Sequence, residues 1–342
     1  FRFKFDRKNI IIKMKILVVR FSSLGDVVLS TPVPRLLKEK FPKSEIHFIT
    51  KKAYSSIYYN NKNIDKVINF NNNLYEITKK LKNENYDLIV DLHNNLRSKF
   101  IKFFLMKPSI TYNKQFLKRW LYTNFKILSK INHISDAYIL TLSRVGINDD
   151  GKGLDFYLNK NELSKVRELS VNFKNYSALV IGAKHFTKRL PLKKLIELCD
   201  KINGPIVLIG GKNEIETAKQ IENFFNASNN EEVKIKNKLN KKTTILNFCG
   251  KLSIQGSACI IKLSKQVFTH DTGFMHIAAA LNKKIFAIFG STHQNLGFYP
   301  YNSSFSILEN KNLYCRPCTK IGLSKCPANH FKCMNDIKFD II

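Results

Sequence analysis

The chain has 342 residues, 44% of them hydrophobic, which is enough to bury a large core and to make two domains. Its formal charge of +31 comes mostly from Lys spread evenly among Asn and Ile, as in Asn60-Asn61-Lys62-Asn63-Ile64. Such an even spread is discounted as a specific nucleic-acid signal, and no recognition helix or aromatic-basic platform supports that partner; a basic surface would favour phosphorylated substrates and an anionic membrane face. No apolar run approaches the roughly 18 to 20 residues of a membrane span and no leader is present, so a cytosolic protein is expected.

Residues 1–13 read as an upstream extension, because Met14-Lys15 stands immediately before the first convincing strand. Periodicity then predicts strands at 15–20, 45–50, 66–70 and 87–91, with amphipathic helices at 26–41, 73–84 and 96–106. Two more helices, at 116–130 and 135–145, lead to a polar, glycine-bearing stretch at 146–153 that reads as the end of a first domain. The turn after the first strand, Arg20-Phe21-Ser22-Ser23-Leu24-Gly25-Asp26, lies where an open α/β sheet places ligands. It is neither a dinucleotide fingerprint nor a P-loop. Ser23 with Asp26 three residues on fits a helix capping box; Asp26 equally fits a general base. The residues alone leave both readings open.

The second half restarts the alternation, with strands at 178–181 and 206–209, a helix at 191–202 opened by Pro191, and another at 213–225. Elements at 254–264, 266–269, 273–282 and 285–289 complete it. The Asn- and Lys-rich stretch 226–243 reads as a surface insertion. The expected fold class is therefore α/β, with two doubly wound, Rossmann-like domains, at 14–160 and 161–342, facing a central cleft.

Three strand ends in this half carry candidate chemistry. Gly182-Ala183-Lys184-His185-Phe186-Thr187-Lys188-Arg189 puts basic side chains before a helix, which suits a pyrophosphate or simply a solvated loop. Gly210-Gly211-Lys212-Asn213-Glu214 offers Glu214 to a sugar or ribose hydroxyl. The third is the most informative: a strand ends in His270-Asp271-Thr272-Gly273 and a small-residue helix containing His276 follows at once. Thr272 is a candidate cap, and Gly273 removes a side chain from the path of an anion approaching free N–H groups. An ordinary βαβ junction, with His276 as a core histidine, fits the same residues.

Near the end come Cys315, Cys318, Cys326, His330 and Cys333. The C-x-x-C start and the ligand types suit a structural zinc on the four cysteines, although the later spacing is irregular and reduced thiols would also fit. Cys199, Cys249 and Cys259 sit in apolar contexts and are expected in the core.

Four motifs in order, namely Arg20 to Val27, Asp91-Leu92-His93-Asn94-Asn95-Leu96-Arg97-Ser98, Lys188-Arg189-Leu190-Pro191, and Asp271 to Ala280 with Phe289-Gly290-Ser291-Thr292, resemble glycosyltransferase family 9, the ADP-heptose:lipopolysaccharide heptosyltransferases. The resemblance runs from about Met14 to the end. It implies a GT-B fold and an inverting, metal-independent transfer of heptose from ADP-heptose to a lipid A/Kdo-type inner-core acceptor. The acceptor would belong to the first domain and the nucleotide sugar to the second, at the cytosolic face of the inner membrane. Carried over, Asp26 is the catalytic base, and Ser23, Gly25, His93 and Arg97 are on the acceptor side. Lys188, Glu214, Asp271, Thr272, Gly273 and His276 are on the donor side, and no cofactor is required. Leu190 stands where members commonly carry Trp, and His93 where Gln is frequent. A GT-B transferase for another nucleotide sugar, or an inactive nucleotide-sugar-binding relative, is the alternative reading.

Overall fold

A computed structural model describes residues 13–169, 175–227 and 243–340. The expected upstream extension apart from Lys13, and residues 228–242 of the expected insertion, lie outside the described residues.

Among the described residues, eleven strands form two parallel sheets. The first contains β1 (Lys15–Val19), β2 (Glu45–Lys51), β3 (Lys66–Phe70), β4 (Leu88–Asp91) and β5 (Ser109–Thr111), in the order β3-β2-β1-β4-β5. The second contains β6 (Ser177–Val180), β7 (Ile206–Ile209), β8 (Ile245–Asn247), β9 (Gln266–His270), β10 (Lys284–Ile288) and β11 (Phe305–Leu308), in the order β11-β10-β9-β6-β7-β8. The central strands are apolar on both faces because helices cover both sides. Ile16 to Val19 and Ala178 to Val180 are all buried.

In each sheet the chain starts in the middle, works outward to one edge, then returns and works outward to the other. The direction reverses between β1 and β4 in the first sheet and between β6 and β9 in the second. A crevice opens beyond the carboxyl ends of strands at such a reversal, because the flanking connections diverge to opposite faces. Both sets of candidate residues lie there.

Each sheet has its own core. Leu17, Val19, Phe21, Ile49, Ile89 and Ile101 belong to one buried cluster, and Leu179, Leu208, Phe268, Phe286 and Ile288 to another. By packing, residues 13–116 and 132–157 form one compact unit, and residues 117–131 with 158–340 form the second. Cys199, Cys249 and Cys259 are buried, as their contexts implied.

Several boundaries differ from the periodicity. The helix expected at 26–41 is two, Leu24–Leu29 and Pro32–Lys40. The break follows from Pro32, which has no N–H to continue the ladder, and from the Ser30 and Thr31 hydroxyls, which turn back onto the Val27 and Val28 carbonyls. The helix expected at 116–130 ends at Phe125, where Lys126 adopts φ 60°. The helix Lys160–Leu169 and the short strands β5, β8 and β11 have no counterpart in the expectation.

Candidate active site

At the first reversal Val19 stands opposite Asp91. β1 runs out through Arg20 and Phe21 to Ser23, and a helix begins at Leu24. Asp26 is its third residue, so its carboxylate folds back over the helix start. Oδ2 accepts from the Ser23 backbone N–H at 3.1 Å and from the Ser23 hydroxyl at 2.8 Å. The Arg20 guanidinium meets the same oxygen at 2.7 Å. Oδ1 makes one long contact, 3.4 Å from the Tyr138 hydroxyl. Arg20 is itself pinned, donating to the Leu92 carbonyl at 2.6 Å and lying 5.6 Å from the centre of the Tyr138 ring.

Burial alone would push the Asp26 carboxyl up. The Arg20 charge and the Ser23 hydrogen bonds outweigh it and hold the carboxyl below its ordinary value. Asp26 is therefore ionised at neutral pH, with one oxygen committed to the helix start and the other nearly uncommitted. The helix-start reading of this residue is met by Oδ2.

His93 lies beside this pair, its ring edge-on to Phe21 at 5.0 Å. Burial first, and then the Arg20 and Lys114 charges, depress its pKa to about 3, so the imidazole is neutral. Its Nδ1 is buried without a hydrogen-bond partner. Asp91 shapes the loop that carries it, accepting from the N–H groups of His93 and Asn94 at 3.0 and 2.8 Å and from Ser98 Oγ at 2.9 Å. Lys102 neutralises that buried carboxylate at 2.9 Å. Arg97, in the first turn of the Leu96–Leu105 helix, is exposed, and Gly25 is in the first turn of the Leu24–Leu29 helix beside Asp26.

At the second reversal the Lys188 ammonium pairs with Asp271 Oδ2 at 2.6 Å and reaches the Asp271 carbonyl at 3.1 Å. Thr292 Oγ1 donates to the same carboxylate oxygen at 2.7 Å. An ammonium has three donors, and these contacts use two of them. His270, fully buried with its pKa lowered to about 4 chiefly by burial, accepts from the Leu190 backbone N–H through Nε2 at 3.0 Å. Leu190 itself is buried in the core. The Lys188-Arg189-Leu190-Pro191 turn is thereby locked to the end of β9.

Gly273–Ala280 forms the helix after that junction, and Thr272 holds the N-cap position in extended conformation. The expected cap is not made, because the Thr272 side chain forms no cap hydrogen bond; its hydroxyl is buried without a partner. A hydroxyl and the first N–H groups of a helix converge beside the Lys188 ammonium, which is an arrangement for oxyanions. His276 is buried within the helix.

Glu214 ends a short 3₁₀ turn, Lys212–Glu214, and accepts from the Gly211 N–H at 2.9 Å, with Arg189 3.9 Å away. Its place depends on two glycines. A Cβ on Gly182 would lie 2.7 Å from Glu214 Cδ, and one on Gly210 would lie 2.8 Å from Glu214 Cβ. Arg20, Thr292, His270 and Asp91 had no role assigned from sequence, although all four fall in or beside the motifs. Their signal was position: each ends a strand or lies within a turn of one.

An α/β enzyme whose polar residues collect at the reversal points of two parallel sheets, one with a fixed carboxylate and one ready for an oxyanion, is the class these features define. The family model described as Glycosyltransferase family 9 (heptosyltransferase) matches residues 74–328. Among curated proteins, lipopolysaccharide heptosyltransferase 1 of Campylobacter coli is 26% identical over 305 residues, covering 82% of this chain and 84% of its own length. Among solved structures, a glycosyltransferase family 9 protein from Veillonella parvula superposes with a TM-score of 0.69 at 20% identity, covering 87% of this chain and 86% of that one. The Escherichia coli ADP-heptose lipopolysaccharide heptosyltransferase II gives 0.67 at 19% identity, covering 94% and 98%. The chain belongs to glycosyltransferase family 9 and has the fold of its solved heptosyltransferases.

Proposed function

We propose that this glycosyltransferase moves heptose from ADP-heptose to a lipid A/Kdo-type acceptor of the lipopolysaccharide inner core, with inversion and without a catalytic metal. The observation that carries the reading is the Lys188–Asp271–Thr292 cluster beside the start of the Gly273–Ala280 helix. Departure of ADP places negative charge on a phosphate oxygen. The free N–H groups of that helix, the Thr272 hydroxyl and the remaining donor of Lys188 supply positive potential for it.

Asp26 takes the proton of the attacking acceptor hydroxyl through Oδ1. A carboxylate held at low pKa is a weak base, but a hydroxyl bonding to an electron-poor anomeric carbon becomes strongly acidic, so a weak base suffices once the bond is forming. His93 and Arg97 adjoin the acceptor, and Glu214 the nucleoside.

Among the described residues no helix is long and apolar enough to cross a membrane. Contact with an anionic cytosolic membrane face is supported by the Leu96–Leu105 helix, whose outer side exposes Leu96, Phe103 and Phe104 beside Lys99, with Phe100 and Phe104 in ring contact at 4.3 Å.

Titration calorimetry with ADP, UDP and GDP, in buffer free of added divalent metal, tests the donor. Selective binding of ADP supports the reading. A preference for UDP or GDP overturns the donor assignment, and a requirement for magnesium overturns the metal-free mechanism.

A further inference from the structure

We propose that Cys315, Cys318, Cys326 and Cys333 hold a structural zinc ion that clips the C-terminal segment to the loop carrying Ser291 and Thr292. All four cysteines line one cavity, together with His330, Thr187 and Ser291. All four are free cysteines, and Cys333 is buried.

The choice of four sulfurs over three sulfurs and a histidine follows from the His330 ring. Its Nδ1 accepts from the Lys332 backbone N–H at 3.0 Å, which leaves the ring proton of the neutral form on Nε2. That N–H faces Cys315 Sγ at 3.9 Å. A protonated nitrogen cannot bind a metal, but it can donate to a thiolate that does.

Charge also fits. Zinc with four thiolates carries two negative charges. Lys126 lies beside the pair Cys315 and Cys318, bonded to the Pro317 carbonyl at 2.6 Å, while Arg316 is already paired with Glu309 at 2.8 Å.

Among the described residues only Glu45, His47 and Glu84 bring three ligand atoms within 4.8 Å of one another. That group is already neutralised, because Lys15 and Lys66 each reach Glu84 at 2.5 Å. By the same measure no three of the cysteine sulfurs lie within 4.8 Å of one another, whereas tetrahedral zinc–thiolate bonds impose a sulfur separation of about 3.8 Å. Binding therefore draws them inward around the cavity, as is usual where the metal completes its own site.

The clip has a mechanical consequence. Cys318 N–H donates to the Ser291 carbonyl at 3.1 Å, Ser291 Oγ to Thr187 Oγ1 at 2.8 Å, and Arg316 to the Gly290 and Thr292 carbonyls at 2.6 and 3.1 Å. Thr292 in turn holds Asp271, which holds Lys188. Gly290 admits no side chain, since a Cβ would lie 2.9 Å from the Thr187 carbonyl oxygen. Zinc thus acts on the anion site through a positioning chain.

The test is elemental analysis of the full-length protein purified with zinc in the medium, joined to cobalt substitution. One zinc per chain, and the intense visible bands of tetrahedral thiolate cobalt, are expected. Cys326→Ser should lower bound zinc about tenfold or more. His330→Ala should keep the stoichiometry while weakening affinity roughly tenfold or more. Release of zinc from the unaltered protein by an organomercurial, followed with a colorimetric chelator, keeps the test valid if the serine variant does not fold. Absence of stoichiometric metal, a Cys315–Cys318 disulfide by mass spectrometry, or iron in place of zinc would each overturn the assignment. The metal content does not depend on the donor assignment, so the two can fail separately.

Discussion

The two reversal points hold the same pair of groups with the roles exchanged. In the first, Arg20 is the anchored partner, fixed by the Leu92 carbonyl and the Tyr138 ring, and the carboxylate faces outward. In the second, Asp271 is anchored by Thr292 and the ammonium faces outward. Exposure follows the exchange: the Asp26 side chain is 17% exposed against 9% for Arg20, and Lys188 is 13% exposed against 8% for Asp271. Each pair therefore presents the charge that the proposed chemistry would use, with the more buried opposite charge holding it in place. The buried member makes it affordable to keep the working group ionised in a half-buried site.

This comparison can be broken most directly at Asp26. Asp26→Asn should reduce kcat by roughly 10²- to 10⁴-fold while leaving ADP affinity nearly intact; loss of nucleotide binding or of folding in that variant would assign Asp26 to the helix start alone. Lys188→Ala should weaken ADP binding by roughly 10- to 100-fold, as expected for a lost charge-assisted hydrogen bond. Unchanged calorimetric affinity would mean that Lys188 serves Asp271 and no ligand.

The pH profile sharpens the comparison. With its carboxyl held low, Asp26 stays ionised above the ordinary carboxylate value of about 3.9, and the stability of its ion pair is lost only as pH falls through the lower folded value. Arg20→Gln removes the main lowering charge, so the acid limb of kcat/KM should move to higher pH. An unmoved limb would show that another group sets it. The smallest effect is expected for Thr292→Val, which leaves Asp271 with one donor fewer and should cost about 1 kcal/mol in urea unfolding. A neutral result there would detach the Ser291–Thr292 loop from the anion site.

The alternating apolar runs were sufficient to place most of the central strands, because buried parallel strands are nearly continuous in Val, Ile and Leu. Short edge strands were not legible: β8 and β11 are only partly buried and lack the continuous apolar run that marked β7, which is no longer than β11. At the site, the residues that end strands were recognisable as candidates, but their partners were not. Asp26 and Arg20 are neighbours through local turn geometry, which spacing hints at. The meeting of Lys188 with Asp271 depends on β6 and β9 lying side by side, and no local pattern records that pairing. Thr272 illustrates the opposite failure. Its type and position predicted a cap, whereas its hydroxyl is left without a partner.

The excursion of residues 117–131 bears on how such an enzyme can be taken apart and recombined. Arg119, within it, is buried against the Leu296 carbonyl at 3.1 Å and 5.6 Å from the centre of the Phe298 ring. A gene cut once near codon 158 would separate that arginine from the Leu296 carbonyl and the Phe298 ring. Exchange of one unit between relatives thus needs three joints, near 116, 131 and 157, because the two units are built from interleaved segments rather than successive ones.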